Sequence, residues 1–191
     1  MRKPSTSSAH RQYDPFLRRD PMSLFVQTSA VISKCGIYRY ELRRIWDDSR
    51  PPYVSGMLNP STADDKINDQ TIVRNIRRAQ EHGCGSLIVW NLGAGRATDP
   101  EVWKAMADPI GPDNDAHIER ILTECRTRGG LAVVGWGNDG SFLGRDKVAT
   151  RIAAKVGVAL HCVAINKGGQ PKHPLYAGYA TPLIPWRCGK L

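Results

Sequence analysis

A chain of 191 residues has room for one hydrophobic core and hardly for two, since domains usually run to roughly 100–200 residues. Hydrophobic residues at 41% and charged residues at 24% exclude a chain disordered throughout, and no run approaches the roughly 18 apolar residues of a membrane span. Lys and Arg number 27 against 18 Asp and Glu, a net charge of +9, which points towards a polyanionic partner. Arg2 and Lys3 lead into polar residues rather than an apolar stretch, so no secretory signal is expected and the cytoplasm is the expected compartment. Five cysteines without a CxxC pair, and five histidines without an HExxH, give no disulfide framework and no metal-ligand spacing. Neither a metal nor a cofactor is expected.

Residues 1–22 carry Ser, Pro, Arg and Asp with little periodicity and read as a flexible basic arm ahead of a single α/β domain over 23–191. From Phe25 to Trp46 the pattern alternates as strands do, broken at Gly36, which predicts a β-hairpin. Arg39, Arg43 and Arg44 lie in or beside it; they fit a phosphate-facing surface or, more commonly, a solvated strand face. After Pro51-Pro52, residues Tyr53 to Leu58 form a short buried strand that ends in Asn59-Pro60-Ser61-Thr62. Ile72, Ile76 and Ala79 then recur at helical spacing, with Asp69 as a cap and Gly83 as a stop.

Ser86 to Trp90 is the next buried strand, closed by Asn91. Thr98-Asp99-Pro100 starts a short helix reaching Met106, and a longer one follows from about Asp113 to Gly129-Gly130. A strand over Leu131–Trp136, a helix over Arg145–Val156 and a strand over Ala159–Ile165 complete a β-α-β-α-β-α-β order. That order calls for a three-layer α/β/α arrangement with a mainly parallel sheet of four to five strands, and ligands then collect beyond the carboxyl ends of the strands.

Three strand-end loops carry distinctive polar residues: Asn59, Asn91, and His173 in the stretch Asn166 to Leu175. In this topology all three open on one edge of the sheet, where two amides and an imidazole line a common cleft. Each residue alone has a plainer reading, because Asn before Pro commonly starts a turn and a His in a Gly-Lys-rich loop is commonly just exposed. No GxSxG, GxxxxGK[ST] or GxGxxG motif is present; Gly135 to Gly140 is glycine-rich at the wrong spacing. Asp64, Asp65 and Asp69 are a minor alternative as magnesium ligands.

Gly56-Met57-Leu58-Asn59-Pro60-Ser61-Thr62-Ala63 resembles the first motif of the uracil-DNA glycosylase superfamily, particularly its mismatch-specific uracil/thymine branch. Leu87-Ile88-Val89-Trp90-Asn91 resembles the strand that ends in the base-reading asparagine, and His173-Pro174-Leu175 is similar to the terminal motif, shortened by a Ser-Pro. The same stretches, with Arg96 to Pro100 and Gly111 to Asp115, also look like an uncharacterised bacterial and phage domain family.

The glycosylase resemblance implies a metal-independent monofunctional DNA glycosylase, a monomer that flips a base from DNA and leaves an abasic site. Asn59 would position the attacking water and His173 would donate to the leaving base. Asn91, Ser61, Thr62, Asp64 and Met57 would line the base pocket, and Arg96, Lys167, Lys172 and Arg39 would hold phosphates. In the classical uracil glycosylases of that superfamily a tyrosine follows the motif's Asp-Pro and blocks 5-substituents; Ser61 stands here, which implies room for a bulky 5-substituted pyrimidine, including a glucosylated one. Two other readings stay open: a nucleic-acid-binding module with no catalysis, and a hydrolase of free nucleosides or nucleotides.

Overall fold

The computed structural model describes residues 27–61, 68–179 and 181–189; the arm expected over residues 1–22 lies outside them. One sheet holds seven strands: β1 (Gln27–Ile32), β2 (Arg39–Ile45), β3 (Pro52–Met57), β4 (Ser86–Asn91), β5 (Leu131–Val134), β6 (Leu160–Cys162) and β7 (Ile184–Pro185), in the spatial order β1-β2-β4-β3-β5-β6-β7. β4, β3, β5 and β6 run parallel, while β1, β2 and β7 are antiparallel additions at the edges. The α/β class holds. The sheet is larger and more mixed than four to five strands, because the hairpin expected ahead of the sheet joins it through the β2–β4 pairing.

The helices are α1 (Gln70–Glu81), α2 (Pro100–Lys104), α3 (Asn114–Thr127) and α4 (Arg145–Val156). Asp69 caps α1 by accepting from the Ile72 backbone N–H at 2.8 Å, and Ile72, Ile76 and Ala79 form the buried stripe that lies over β3 and β4. On the other face α3 buries Ile118, Ile121, Leu122 and Cys125, and α4 meets it through Ala149 and Ala153. A helix layer on each face leaves every residue of β3 and β4 buried. Among the described residues no helix is long and apolar enough to cross a membrane.

The hairpin arginines do not form a solvated face. Arg43 pairs with Glu41 and with Glu124 of α3, Arg44 donates to Asn68 Oδ1 at 2.8 Å, and Arg39 and Arg44 are both buried. β2 therefore has no solvated face; both of its sides are covered.

The chain passes from β3 to β4 on one side and then crosses to β5 on the other, and in such a sheet a crevice is expected beyond the carboxyl ends of the strands. β3 tolerates this crowding only because residue 56 is glycine. The Trp90 indole lies where a Cβ on Gly56 would fall, 2.5 Å from it. Gly56→Ala is expected to cost about 1–3 kcal/mol by overpacking, read as a lower urea midpoint at unchanged slope.

Candidate active site

A cavity of about 430 Å³ opens at the carboxyl ends of the parallel strands, within the range of roughly 300–1,000 Å³ typical of small-molecule sites. Asn59, Asn91 and His173 all line it, as do Met57, Ser61 and Arg39. The three polar loops meet as the topology requires. Thr62 and Asp64 lie outside the described residues.

Asn59 follows β3, and its Nδ2 donates to the Ala97 carbonyl at 2.6 Å. The loop after β4 doubles back along the loop after β3, with Leu92 N–H on Met57 O, Gly93 N–H on Leu58 O and Ala97 N–H on Pro60 O. With its N–H side engaged there, the Asn59 amide presents Oδ1 as an acceptor, which makes no hydrogen bond among the described residues. Ser61 donates to Asp69 Oδ2 at 2.7 Å, so the cap of α1 also fixes the loop that carries Asn59.

Asn91 is the last residue of β4 and only 1% exposed, yet neither its Nδ2 nor its Oδ1 has a hydrogen-bond partner among the described residues. Its position is held through the backbone. Asn114 Nδ2 donates to the carbonyls of Asn91 and Leu92, and Arg145 Nε donates to Leu92 O at 2.8 Å while its guanidinium pairs with Asp115. A buried amide without partners costs stability unless something else completes it. Asn91 lines the cleft.

His173 reaches the cleft from a loop that crosses back over β5. Ile165 bridges Pro171, Lys172 N–H donates to Ala164 O, and Pro174 packs against Gly135, where a Cβ would stand 2.6 Å from the Pro174 ring. That packing, not phosphate binding, uses the first glycine of the Gly135–Gly140 run. Farther on, Arg74 and Arg78 of α1 donate to backbone carbonyls from Ala177 to Thr181. His173 Nδ1 accepts from the Leu175 backbone N–H at 3.2 Å, so in the neutral ring the proton sits on Nε2. Burial pushes its pKa below the usual imidazole value, against a smaller opposing pull from Asp69. The ring is thus a neutral donor.

The other residues expected at phosphates sit apart. Arg96 donates to Gly36 O at 3.2 Å beside the hairpin turn. Lys167 is exposed and lines a separate cavity that shares only Asn138 with the cleft, and Lys172 is half-buried. Arg39 is 3% exposed inside the cleft, away from any outer phosphate-facing surface. The cleft also uses Trp136, Asp139 and Tyr176, which sequence reasoning passed over. Trp136 lies in the stretch Ala132 to Gly137 that resembles the strand before the final motif of the glycosylase superfamily and Asp139 lies in the glycine-rich run that follows, while the 71% exposed Tyr176 directly follows the His173-Pro174-Leu175 motif. Asp69, weighed as a magnesium ligand, is the cap of α1, and Asp64 and Asp65 are outside the described residues.

A histidine whose folded pKa is depressed contributes stability that is complete above the unfolded value of about 6.5 and is lost as pH falls below it. In a nitrogen-detected NMR titration His173 is expected to stay neutral, as the Nε2–H tautomer, at pH values where an exposed histidine is half protonated. A midpoint at or above 6.5 would contradict the assignment.

The chain matches no curated protein and no solved structure. A family model described as "Protein of unknown function (DUF1643)" matches residues 39–175, a span that starts at the cleft arginine of β2 and ends just past His173. That span covers well over half of the chain, and the protein belongs to this family.

Proposed function

We propose that the protein is a DNA glycosylase that hydrolyses the N-glycosidic bond of a modified or mismatched pyrimidine. The observation that carries this reading is the Asn91 amide, buried in the cleft with donor and acceptor both unpaired. A donor beside an acceptor, fixed in orientation by the strand that bears them, matches the Watson–Crick edge of a pyrimidine drawn out of the stack. Its backbone is clamped by Asn114 and Arg145, so little reorganisation is needed when the base arrives.

Hydrolysis proceeds through a sugar with oxocarbenium character and a base that gains negative charge. Asn59 Oδ1 is oriented as an acceptor by the Ala97 carbonyl and would hold the water beneath the anomeric carbon. A neutral amide cannot take the proton of that water fully, which sets a modest rate. His173 Nε2–H would hydrogen-bond an oxygen of the departing base as a neutral donor, in keeping with its lowered pKa. Ser61, held by Asp69, is small enough to admit a 5-substituent, and the resemblance to the uracil-DNA glycosylase superfamily supports the same assignment of roles. The excess of basic residues favours a nucleic acid as the carrier of the base.

A second reading, a module that binds modified nucleic acid without cleaving it, draws on the neutrality of Asn59, which leaves the water without a charged base.

Purified protein incubated with DNAs carrying uracil, T·G mismatches, 5-hydroxymethylcytosine or its glucosylated form is expected to release one base and leave alkali-labile sites. Asn59→Ala should lower the single-turnover rate by about 10²–10⁴-fold with DNA affinity nearly unchanged. Ser61→Tyr should abolish release of a bulky 5-substituted base while sparing uracil. Equal rates for that variant and the parent on the bulky base would remove the steric argument. No release from any substrate, with tight salt-dependent binding, would put the binding module first.

A further inference from the structure

β5 leads into a turn over Asn138–Gly144 whose first two residues line the cleft. Positive φ at the two ends of this turn falls on glycine, 75° at Gly137 and 67° at Gly144. Between them Leu143 stands at φ 52° and ψ 21°, and among the described residues it is the one non-glycine with positive φ. A leucine in that conformation is strained where a glycine would not be. Packing does not offset the strain, because the side chain is 63% exposed. Strain kept under those conditions points to a use outside the fold.

The turn holds this side chain outward on a fixed base. Phe142 goes the other way, its ring edge-on to Trp103 with centroids 5.3 Å apart, and the fully buried Trp103 donates from Nε1 to Pro109 O at 2.8 Å. Lys104 of α2 donates to Asp139 Oδ1 at 2.7 Å, Asn166 Nδ2 to Asn138 Oδ1 at 2.8 Å, and Arg145, the first residue of α4, to Leu92 O. The chain is therefore pinned on both sides of residue 143. At about 3.8 Å per Cα step, Leu143 stands within about 15 Å of Asp139 and so of the cleft wall.

What this side chain fits follows from what base flipping does to a duplex. Drawing a base out of the double helix leaves a gap that its neighbours close by restacking, which opposes the flip. An apolar side chain inserted in the gap keeps it open, and burying that side chain offsets part of the unstacking cost. The inserted group has to be apolar, exposed before binding and fixed close to the pocket. Leu143 meets all three requirements. A single strand has no paired stack to hold open and gains little from such a group.

We propose that Leu143 is a wedge that enters the base stack of double-stranded DNA beside the nucleotide whose base occupies the cleft. The assignment rests on the glycosylase reading for its partner, but insertion is measurable without base release.

A duplex with a tetrahydrofuran abasic analogue next to 2-aminopurine, whose fluorescence rises on unstacking, tests it. The full chain is expected to raise that fluorescence. At saturating protein Leu143→Gly and Leu143→Ala should leave it near the level of free duplex, and should weaken duplex binding about tenfold with single-strand affinity unchanged. Leu143→Met, apolar and of similar size, should keep most of the rise. Leu143→Gly should also melt at or above the temperature of the parent, since it relieves the strained backbone. No rise with the parent, a preference of the parent for the single strand, or a rise that survives in Leu143→Gly overturns the proposal. Loss of the rise in Tyr176→Ala, with Leu143→Gly unaffected, would give the role to the other exposed side chain at the cleft. A Leu143→Gly melt well below that of the parent shows that the leucine serves packing, and overturns the proposal too. If unstacking depends on Leu143 and no base is released from any DNA, the glycosylase reading fails and the wedge stands; release that is equally fast in Leu143→Gly keeps that reading and removes the wedge.

Discussion

The contact between the Trp90 indole and the bare Cα of Gly56 joins the two central strands at the level where the cleft begins. From Trp90 a row of indoles runs outward, Trp136 at 6.1 Å and Trp186 beyond it at 5.0 Å and a right angle. Such pairs add roughly 0.5–1.5 kcal/mol each to the burial of their surfaces. Trp136 is the wall of the cleft as well as the middle of this row, and its Nε1 donates to Gln170, whose amide donates to Asp146 of α4. The packing at the centre of the sheet and the shape of the candidate site are therefore one arrangement. A shift at Gly56 would be transmitted to the cleft through two rings.

The second theme is the use of arginine. Arg39, Arg44, Arg78 and Arg145 are all buried, and three of them hold backbone carbonyls: Arg44 that of Arg43, Arg78 those after Ala177, Arg145 that of Leu92. Charged hydrogen bonds of this kind are stronger than neutral ones, and a planar guanidinium fixes several carbonyls at once. The segment after the His173 turn and the loop that follows Asn91 are held by these struts. Part of the net charge of +9 is thus internal scaffolding, and it is not all available to a polyanion.

Periodicity and strand ends made much of this legible. The helix over Arg145–Val156 has the bounds its pattern predicts, Asp69 and Asp99 cap as their positions require, and Asn59, Asn91 and His173 meet because parallel topology gathers strand ends. Other features depend on contacts that no local pattern carries. A bulge at Tyr40 in β2 inverts the alternation on which Arg39 was read as a surface residue. The strand expected over Ala159–Ile165 stops at Cys162 because Ile165 pairs with Pro171 instead of continuing the sheet. Trp136 and Asp139 were obscured by glycines whose spacing was compared with phosphate loops, although Gly135 is there for Pro174.

The unpaired amide of Asn91 sets stability against use. A buried polar side chain without partners costs roughly 1–3 kcal/mol, a large share of the roughly 5–15 kcal/mol that holds a domain together, and an apolar side chain of similar size would relieve it. On the proposed function, the amide at the end of this central strand is left unpaired until a base is bound. The best folded form would then be the occupied one, and the gain in melting temperature on adding a candidate base would measure how well that base completes the amide.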